Sequence, residues 1–231
     1  MKANNIAARI LSRPIKENLL LIHSRIERRI QQLPFGWSWN TARYHNMRST
    51  ANTIRLIEKQ GWTPDQIVDA GAHNSDWAYW LLKRWPQIDV TSFEPNRNCN
   101  PVGKVYRVGL SDECCTGTLV GHGMAAEVLR GPGSVNVVRL DSVIKVGGGN
   151  AILKIDTQAS TLRTLRGCGD LLPRFRVVHV EMWDEGAPEY MLHAIHDLLT
   201  TSGFNRFTVV DAAFQCGRCN HYDAAYYKEI Q

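Results

Sequence analysis

Gln66-Ile67-Val68-Asp69-Ala70-Gly71-Ala72-His73-Asn74 is the stretch whose reading decides the fold. A short β-branched run ends in an acidic residue and a glycine turn. An amphipathic helix pattern follows (Trp77, Trp80, Leu81, Leu82, Trp85), closed by Pro86, and a second strand, Val90-Thr91-Ser92-Phe93, runs into Glu94-Pro95. Strand, turn, helix and strand within about 30 residues form the opening βαβ unit of a nucleotide-binding sheet. An acidic residue at the end of the second strand is placed to accept hydrogen bonds from both hydroxyls of a ribose.

The turn selects the nucleotide. A pyrophosphate cradle needs repeated glycines so that backbone N–H groups can approach two phosphates. Here Gly71 is the only glycine between Asp69 and Trp77, and Asp69 and Asp76 face the ligand with negative charge. That pattern disfavours a nicotinamide dehydrogenase and suits a nucleoside that carries a cation, of which S-adenosylmethionine is one.

Outward from this unit the chain continues in alternation. Ser49 to Gln60 reads as a capped helix ended by Gly61. Lys104 to Val108 is a third strand. Thr118 to Gly149 is rich in glycine, with a strand at Val135 to Asp141, and reads as a small β insertion over about residues 113–149. Ala151 to Asp156 is a buried strand with an acidic end, followed by a short helix, Thr161 to Cys168. Arg176 to Met182 is another strand, residues 188–202 a helix, and Phe204 to Val210 with His221 to Lys228 a closing antiparallel pair. Strands alternating with helices and ending in a hairpin predict an α/β fold, Rossmann-like, with a mostly parallel seven-stranded sheet and helices on both faces. Ligands of such sheets bind beyond the carboxyl ends of the strands. The acidic strand ends Asp69, Glu94, Asp156 and Glu181 are therefore expected to converge on one crevice.

The totals restrict the function classes. The 231 residues can bury a full core, with 44% hydrophobic residues and no apolar run of membrane-spanning length. No signal-peptide layout is present, so a cytoplasmic protein is the expectation. The net charge of +5 belongs entirely to residues 1–33, where seven basic side chains face two acidic ones. Residues 1–48 thus read as a basic helical arm followed by an aromatic loop, Pro34 to Asn40, and residues 49–231 as the cofactor-binding domain. Two readings of the arm stay open. It packs on the domain or on a second subunit, giving a homodimer, or its basic face meets an anionic surface such as membrane lipid. Nucleic acid is not expected, because the basic run lacks aromatic residues. Cys216-Gly217-Arg218-Cys219-Asn220-His221 has metal-ligand spacing, but no second Cys-x-x-Cys accompanies it and no metal is expected.

Five motifs in order resemble one family. Val68-Asp69-Ala70-Gly71-Ala72, Phe93-Glu94-Pro95-Asn96, Gly109-Leu110-Ser111-Asp112, Arg139-Leu140-Asp141 and Leu153-Lys154-Ile155-Asp156-Thr157-Gln158 together resemble the FkbM-type S-adenosylmethionine-dependent methyltransferases, over roughly residues 60–230. The resemblance implies the class I methyltransferase fold, S-adenosyl-L-methionine as cofactor, and transfer of a methyl group to a hydroxyl of a sugar, glycan or secondary metabolite. It implies that Asp69, Gly71 and Ala72 line the methionine and ribose part of the cofactor, with His73, Asn74 and Asn96 also among the binding residues. Glu94 would hold the ribose hydroxyls, Leu110 and Ser111 would bracket adenine, and Asp156 would sit near the sulfonium and acceptor. Two positions depart from the pattern. Ser75 stands where the family has glycine, and Ala159-Ser160-Thr161 stands where it has Gly-x-Glu, without the acid. These departures motivate the alternative of a degenerate relative that binds the cofactor or a partner without catalysis. Methyl transfer to a hydroxyl needs the acceptor oxygen held in line at about 3 Å and a base to take its proton. Asp156, His179 and Glu181 are the candidates for that base, and a satisfied structural histidine is the commoner outcome for His179.

Overall fold

The computed structural model describes residues 40–121, 126–147, 149–183, 192–215 and 218–228. From Ala42 onward they belong to one compact unit. Expectations for residues 1–39 lie outside the described residues.

The opening unit forms as read. Strand β1 (Gln66–Ala70) leads into helix α2 (Asp76–Arg84) and β2 (Asp89–Phe93), and β1 pairs with β2 in parallel register, Asp69 opposite Ser92. Short β3 (Lys104–Tyr106) completes this edge; it stops before Val108 because the chain turns off into a second sheet at β4 (Gly109–Leu110). On the other side of β1 lie β8 (Ala151–Ile155) and β9 (Phe175–Trp183), both parallel to it. A long hairpin of β10 (Arg206–Gln215) and β11 (Arg218–Tyr227) then docks antiparallel on β9. The order is β10-β11-β9-β8-β1-β2-β3, seven strands with the antiparallel hairpin at one edge, and this mostly parallel sheet meets the expectation.

The insertion folds as a sheet of its own. β5 (Cys115–Val120), β6 (Glu127–Arg130) and β7 (Val135–Val138) join β4 in the order β4-β7-β5-β6. The strand expected to reach Asp141 ends at Val138, and Leu140–Ser142 form a 3₁₀ turn.

Helices cover both faces of the large sheet. On one face α1 (Asn40–Lys59) and α2 pack Ile57, Trp77, Ala78 and Leu81 against Ile67, Ile152, Val177 and Ala225. On the other, α3 (Thr161–Arg166) and α4 (Leu192–Thr201) pack Leu162, Leu165, Ile195 and Leu199 against Val68, Leu153, Val178 and Val180. Strand residues of opposite parity feed the two cores, as pleating requires. Helix α1 begins nine residues before the expected start at Ser49. The Ser49-Thr50 pair that reads as a cap sits mid-helix instead, buried against the sheet. No helix among the described residues is long and apolar enough to cross a membrane.

Candidate functional site

On the α1/α2 face the strand registers stack like residues at the same level. Ile67, Ile152 and Val177 form an apolar row, and two residues further along the same strands lies a polar row, Asp69, Lys154 and His179. Beyond it come Asp156, just past β8, and Glu181, opposite Asp223 of β11. Polar side chains therefore collect at the carboxyl ends of the strands because the apolar run of each strand ends there.

A cleft of about 860 Å³, counted with its open mouth, lies beyond these ends. Its floor is the β1–α2 loop (Gly71, Ala72, His73) with Phe93 and Glu94 of the β2 end. Its walls are Val108 to Leu110, then Lys154, Asp156 and Gln158, and across from them Glu127 and Val128 of the insertion strand β6. Asp76, Glu94, Glu127 and Asp156 put four carboxylates on the lining against the single ammonium of Lys154, a balance that attracts a cationic ligand.

Gly71 is required where it stands. Its backbone is left-handed (φ +74°), and a Cβ there would lie 1.8 Å from the carbonyl oxygen of Asp156. The loop and the β8 end are also tied by Asp156 N–H donating to Ala70 O at 2.9 Å. Among the described residues three non-glycines also take left-handed backbone, His73, Ser75 and Gln158, and all lie in the two loops beside this cleft. Backbone held off its preferred regions gathers where a site is pre-shaped.

Glu94 is the best-held group. It is buried, and its two carboxylate oxygens accept from the backbone N–H of His73 at 2.7 Å and of Asn96 at 2.8 Å. Each oxygen keeps a second lone pair for a hydroxyl. Leu110 supplies an apolar wall beside it, and Gly71, Ala72 and His73 line the floor.

Other expected residues do not reach the cleft with their side chains. Asp69 is fully buried, lies outside the lining and faces Lys154 Nζ at 3.4 Å, because it sits one position inside the strand end rather than in the loop. Asn74 turns its Oδ1 to the backbone N–H of Asn100 at 2.9 Å. Asn96 contributes its main chain, its Oδ1 accepting from Asn98 N–H. Ser111 is buried and donates to Asp112.

The three base candidates separate in the same way. Asp156 lines the cleft, and Gln158 Nε2 donates both to Asp156 at 3.2 Å and to Glu181 at 3.3 Å, joining the two acids. Burial works against the Asp156 carboxylate, yet Lys154 and a hydrogen bond with Glu181 outweigh it and hold its pKa below the ordinary value. His179 lies apart from the cleft lining. Its ring is buried away from the lining, with Nε2 at 3.2 Å from Ser49 Oγ and Nδ1 at 2.9 Å from Thr53 Oγ1, and it packs against Trp77. Thr53 donates its own hydroxyl hydrogen to Ser49 O, so the geometry assigns the proton to Nδ1 and leaves Nε2 to accept from Ser49. Burial lowers the His179 pKa, and the Asp223 carboxylate opposes that shift without cancelling it. Of the Cys216–His221 segment, the Cys216, Cys219 and His221 side chains lie outside the described ones.

Lys154 is the residue that motif reading passed over. The signal for it is present: one charged side chain within the otherwise apolar strand Ala151–Ile155. Glu127 and Val128 carry no such signal, since only the folding of β6 across the cleft brings them there.

No family model matches the chain, and no curated protein matches it in sequence. Among solved structures it is similar to the magnesium protoporphyrin IX methyltransferase ChlM from Synechocystis PCC 6803 with bound SAM, at 10% identity over 84% of this chain and 86% of that one, with a TM-score of 0.48. It is likewise similar to the plantazolicin methyltransferase BpumL in complex with a monoazolic desmethylPZN analog and SAH, at 10% identity over 82% and 84% with a TM-score of 0.48. The N-terminal domain of EvdMO1 with SAH bound gives 9% identity over 89% and 97%, again with a TM-score of 0.48.

Proposed function

We propose that the chain is an S-adenosylmethionine-dependent O-methyltransferase of the FkbM type, acting on a hydroxyl of a sugar, glycan or secondary metabolite. The observation that carries this reading is Glu94, a buried carboxylate gripped by two loop amides, with a lone pair on each oxygen left for a ribose diol. The glycine-backed loop beside it carries one glycine and no phosphate cradle, and four carboxylates line the cleft, which fits a sulfonium nucleoside and opposes a pyrophosphate.

When bound, S-adenosylmethionine supplies a methyl group already activated on a positive sulfur. Little else is asked of the protein. Leu110 and Phe93 offer apolar surface to adenine, Glu94 orients the ribose, and Asp156, on the cleft lining, takes the proton of the acceptor hydroxyl, with Glu181 tied to it through Gln158. Asp156 is ionised at neutral pH, so it accepts a proton without first losing one. Glu181 is brought to Asp156 through Gln158, whose Nε2 donates to both acids. Thr161 itself is buried and donates to Gln158 O at 3.1 Å, closed off from acid–base work.

Titration calorimetry with S-adenosylmethionine and S-adenosylhomocysteine tests the cofactor, with binding of both expected; absence of either ends the reading. Methyl transfer from labelled cofactor to extracted glycans and metabolites tests the reaction. Binding without transfer to any hydroxylated acceptor would establish the non-catalytic alternative, which the buried, non-acidic Thr161 favours.

A further inference from the structure

Lys154 joins the nucleoside loop to the acids at the strand ends. Its ammonium donates to the Gly71 carbonyl in the nucleoside loop at 3.0 Å, and stands 3.3 Å from Asp156 Oδ2 and 3.4 Å from Asp69 Oδ1. We propose that Lys154 is a positioning residue, which sets the nucleoside loop through Gly71 and the proton-accepting carboxylate through Asp156 with one buried charge. This rests on the reading of the cleft given above.

A lysine side chain almost wholly removed from water is costly unless paired. Asp69 answers that need from behind. Its carboxylate is fully buried and has no hydrogen-bond partner in good geometry, so its ion pair with Lys154 is its main compensation. Had charge balance been the whole purpose, one acid would have sufficed. Instead the ammonium sits between Asp69 on the closed side and Asp156 on the open side, with its best hydrogen bond going to the loop that Asp156 O also touches.

Other titratable groups around the pair are Glu181 and His179 of β9, Asp223 of β11 and Glu94 at the β2 end; Asp211 of β10, which pairs with Arg48 of α1, lies near His179. Asp76 and Glu127 face the pair across the cleft. Burial and Asp223 push the Asp156 pKa up, and without Lys154 only the hydrogen bond with Glu181 would oppose them. Burial disfavours the Lys154 ammonium, but Asp156 and Asp69 outweigh it and hold its pKa above the ordinary lysine value. It therefore stays charged across the whole range in which Asp156 titrates.

The test compares wild type with Lys154→Met by two measurements. Carbon-13 NMR of the Asp156 carboxyl gives its titration midpoint in the ligand-free protein, and calorimetry gives the affinity for S-adenosylhomocysteine. Removing the ammonium should raise the midpoint by about one pH unit or more, as loss of an adjacent opposite charge does. Affinity should fall about tenfold as the Gly71 carbonyl loses a charged hydrogen bond. Where Lys154→Met does not fold, Asp69→Asn with Lys154→Met removes the stranded charge and is expected to show the same two changes. A midpoint or an affinity left unmoved overturns the proposal, because a lysine that only neutralises Asp69 would change stability and neither of these. Wild-type protein that fails to bind S-adenosylhomocysteine ends the reading of the cleft instead, which keeps the two failures apart.

Discussion

Two buried polar clusters lie on neighbouring strands of the same sheet face, and they differ in what covers them. Around His179 the cover is helix α1: Ser49 and Thr53 take both ring nitrogens, Trp77 lies against the ring, and Arg48 reaches Asp211 close by. Around Lys154 the acid side opens instead, and Asp156 lies on the cleft lining with Gln158 and Lys154 on its flanks. The residue types are similar. A closed cluster satisfies its own hydrogen bonds and specifies how α1 sits on the sheet. An open one keeps acceptor capacity for something that arrives. Closure, more than residue type, separates structural from chemical polar groups here.

Substitutions can break this comparison. His179→Ala should cost about 3 kcal/mol of stability in urea unfolding, from the cavity and from Ser49 and Thr53 left without their partner. Its affinity for S-adenosylhomocysteine should stay within about threefold, a change of under 1 kcal/mol. A variant of full stability that no longer binds would reverse the assignment of the two clusters. Glu94→Ala is the converse, with affinity falling about 100-fold, near 2.7 kcal/mol, because two hydroxyls lose a charged acceptor and the His73 and Asn96 amides lose their anchor. Unchanged affinity would take the ribose out of this part of the cleft.

A smaller effect separates the clusters by pH. The His179 pKa is lowered in the folded chain by burial, against a value near 6.5 when unfolded. The unfolded chain therefore takes up the proton first. Stability from this group is complete above that pH and declines as pH falls below it, with a slope of at most about 1.4 kcal/mol per pH unit. Asp156 has the same sign, but its loss begins only below the ordinary carboxylate pKa of 3.8. Urea midpoints followed from pH 7.5 to 5.5 should drop more in wild type than in His179→Gln. Parallel curves would mean that His179 is not held neutral.

How far this arrangement was legible depends on the range of the interaction. The β1–α2–β2 unit and Glu94 were readable because a β-branched run, a glycine turn and a terminal acid are local signals. So was the closing hairpin, although its strands run further than the apolar residues alone suggest. The start of α1 was not, since Ser49 and Thr50 carry cap chemistry and only the sheet beneath shows that they are buried mid-helix. The enclosure of His179 by Ser49 and Thr53 was not legible for the same reason. Its parity with Glu181 places both on one face, but whether a helix covers that face is a tertiary fact. Lys154 was readable and overlooked, while the Glu127 wall depends on a second sheet folding over the first.

The contrast recurs within one loop, where the expected effect is smallest. His73 and Ser75 are two residues apart and both left-handed, at φ 47° and 56°. The His73 backbone serves the cleft through Glu94, whereas Ser75 is fully buried, with its Oγ accepting from Val102 N–H at 3.1 Å. A glycine at this position would take the left-handed backbone without strain. Serine bears a penalty of about 1–2 kcal/mol there, partly offset by a hydrogen bond worth about 1 kcal/mol. Ser75→Gly trades one for the other, so stability should change by less than about 1 kcal/mol. Affinity for S-adenosylhomocysteine should hold within about twofold, below 0.5 kcal/mol, since nothing on the open side has been touched. A large loss of binding at unchanged stability would show that the closed side of the loop shapes the open one, and the division between the two clusters would have to be redrawn at Ser75.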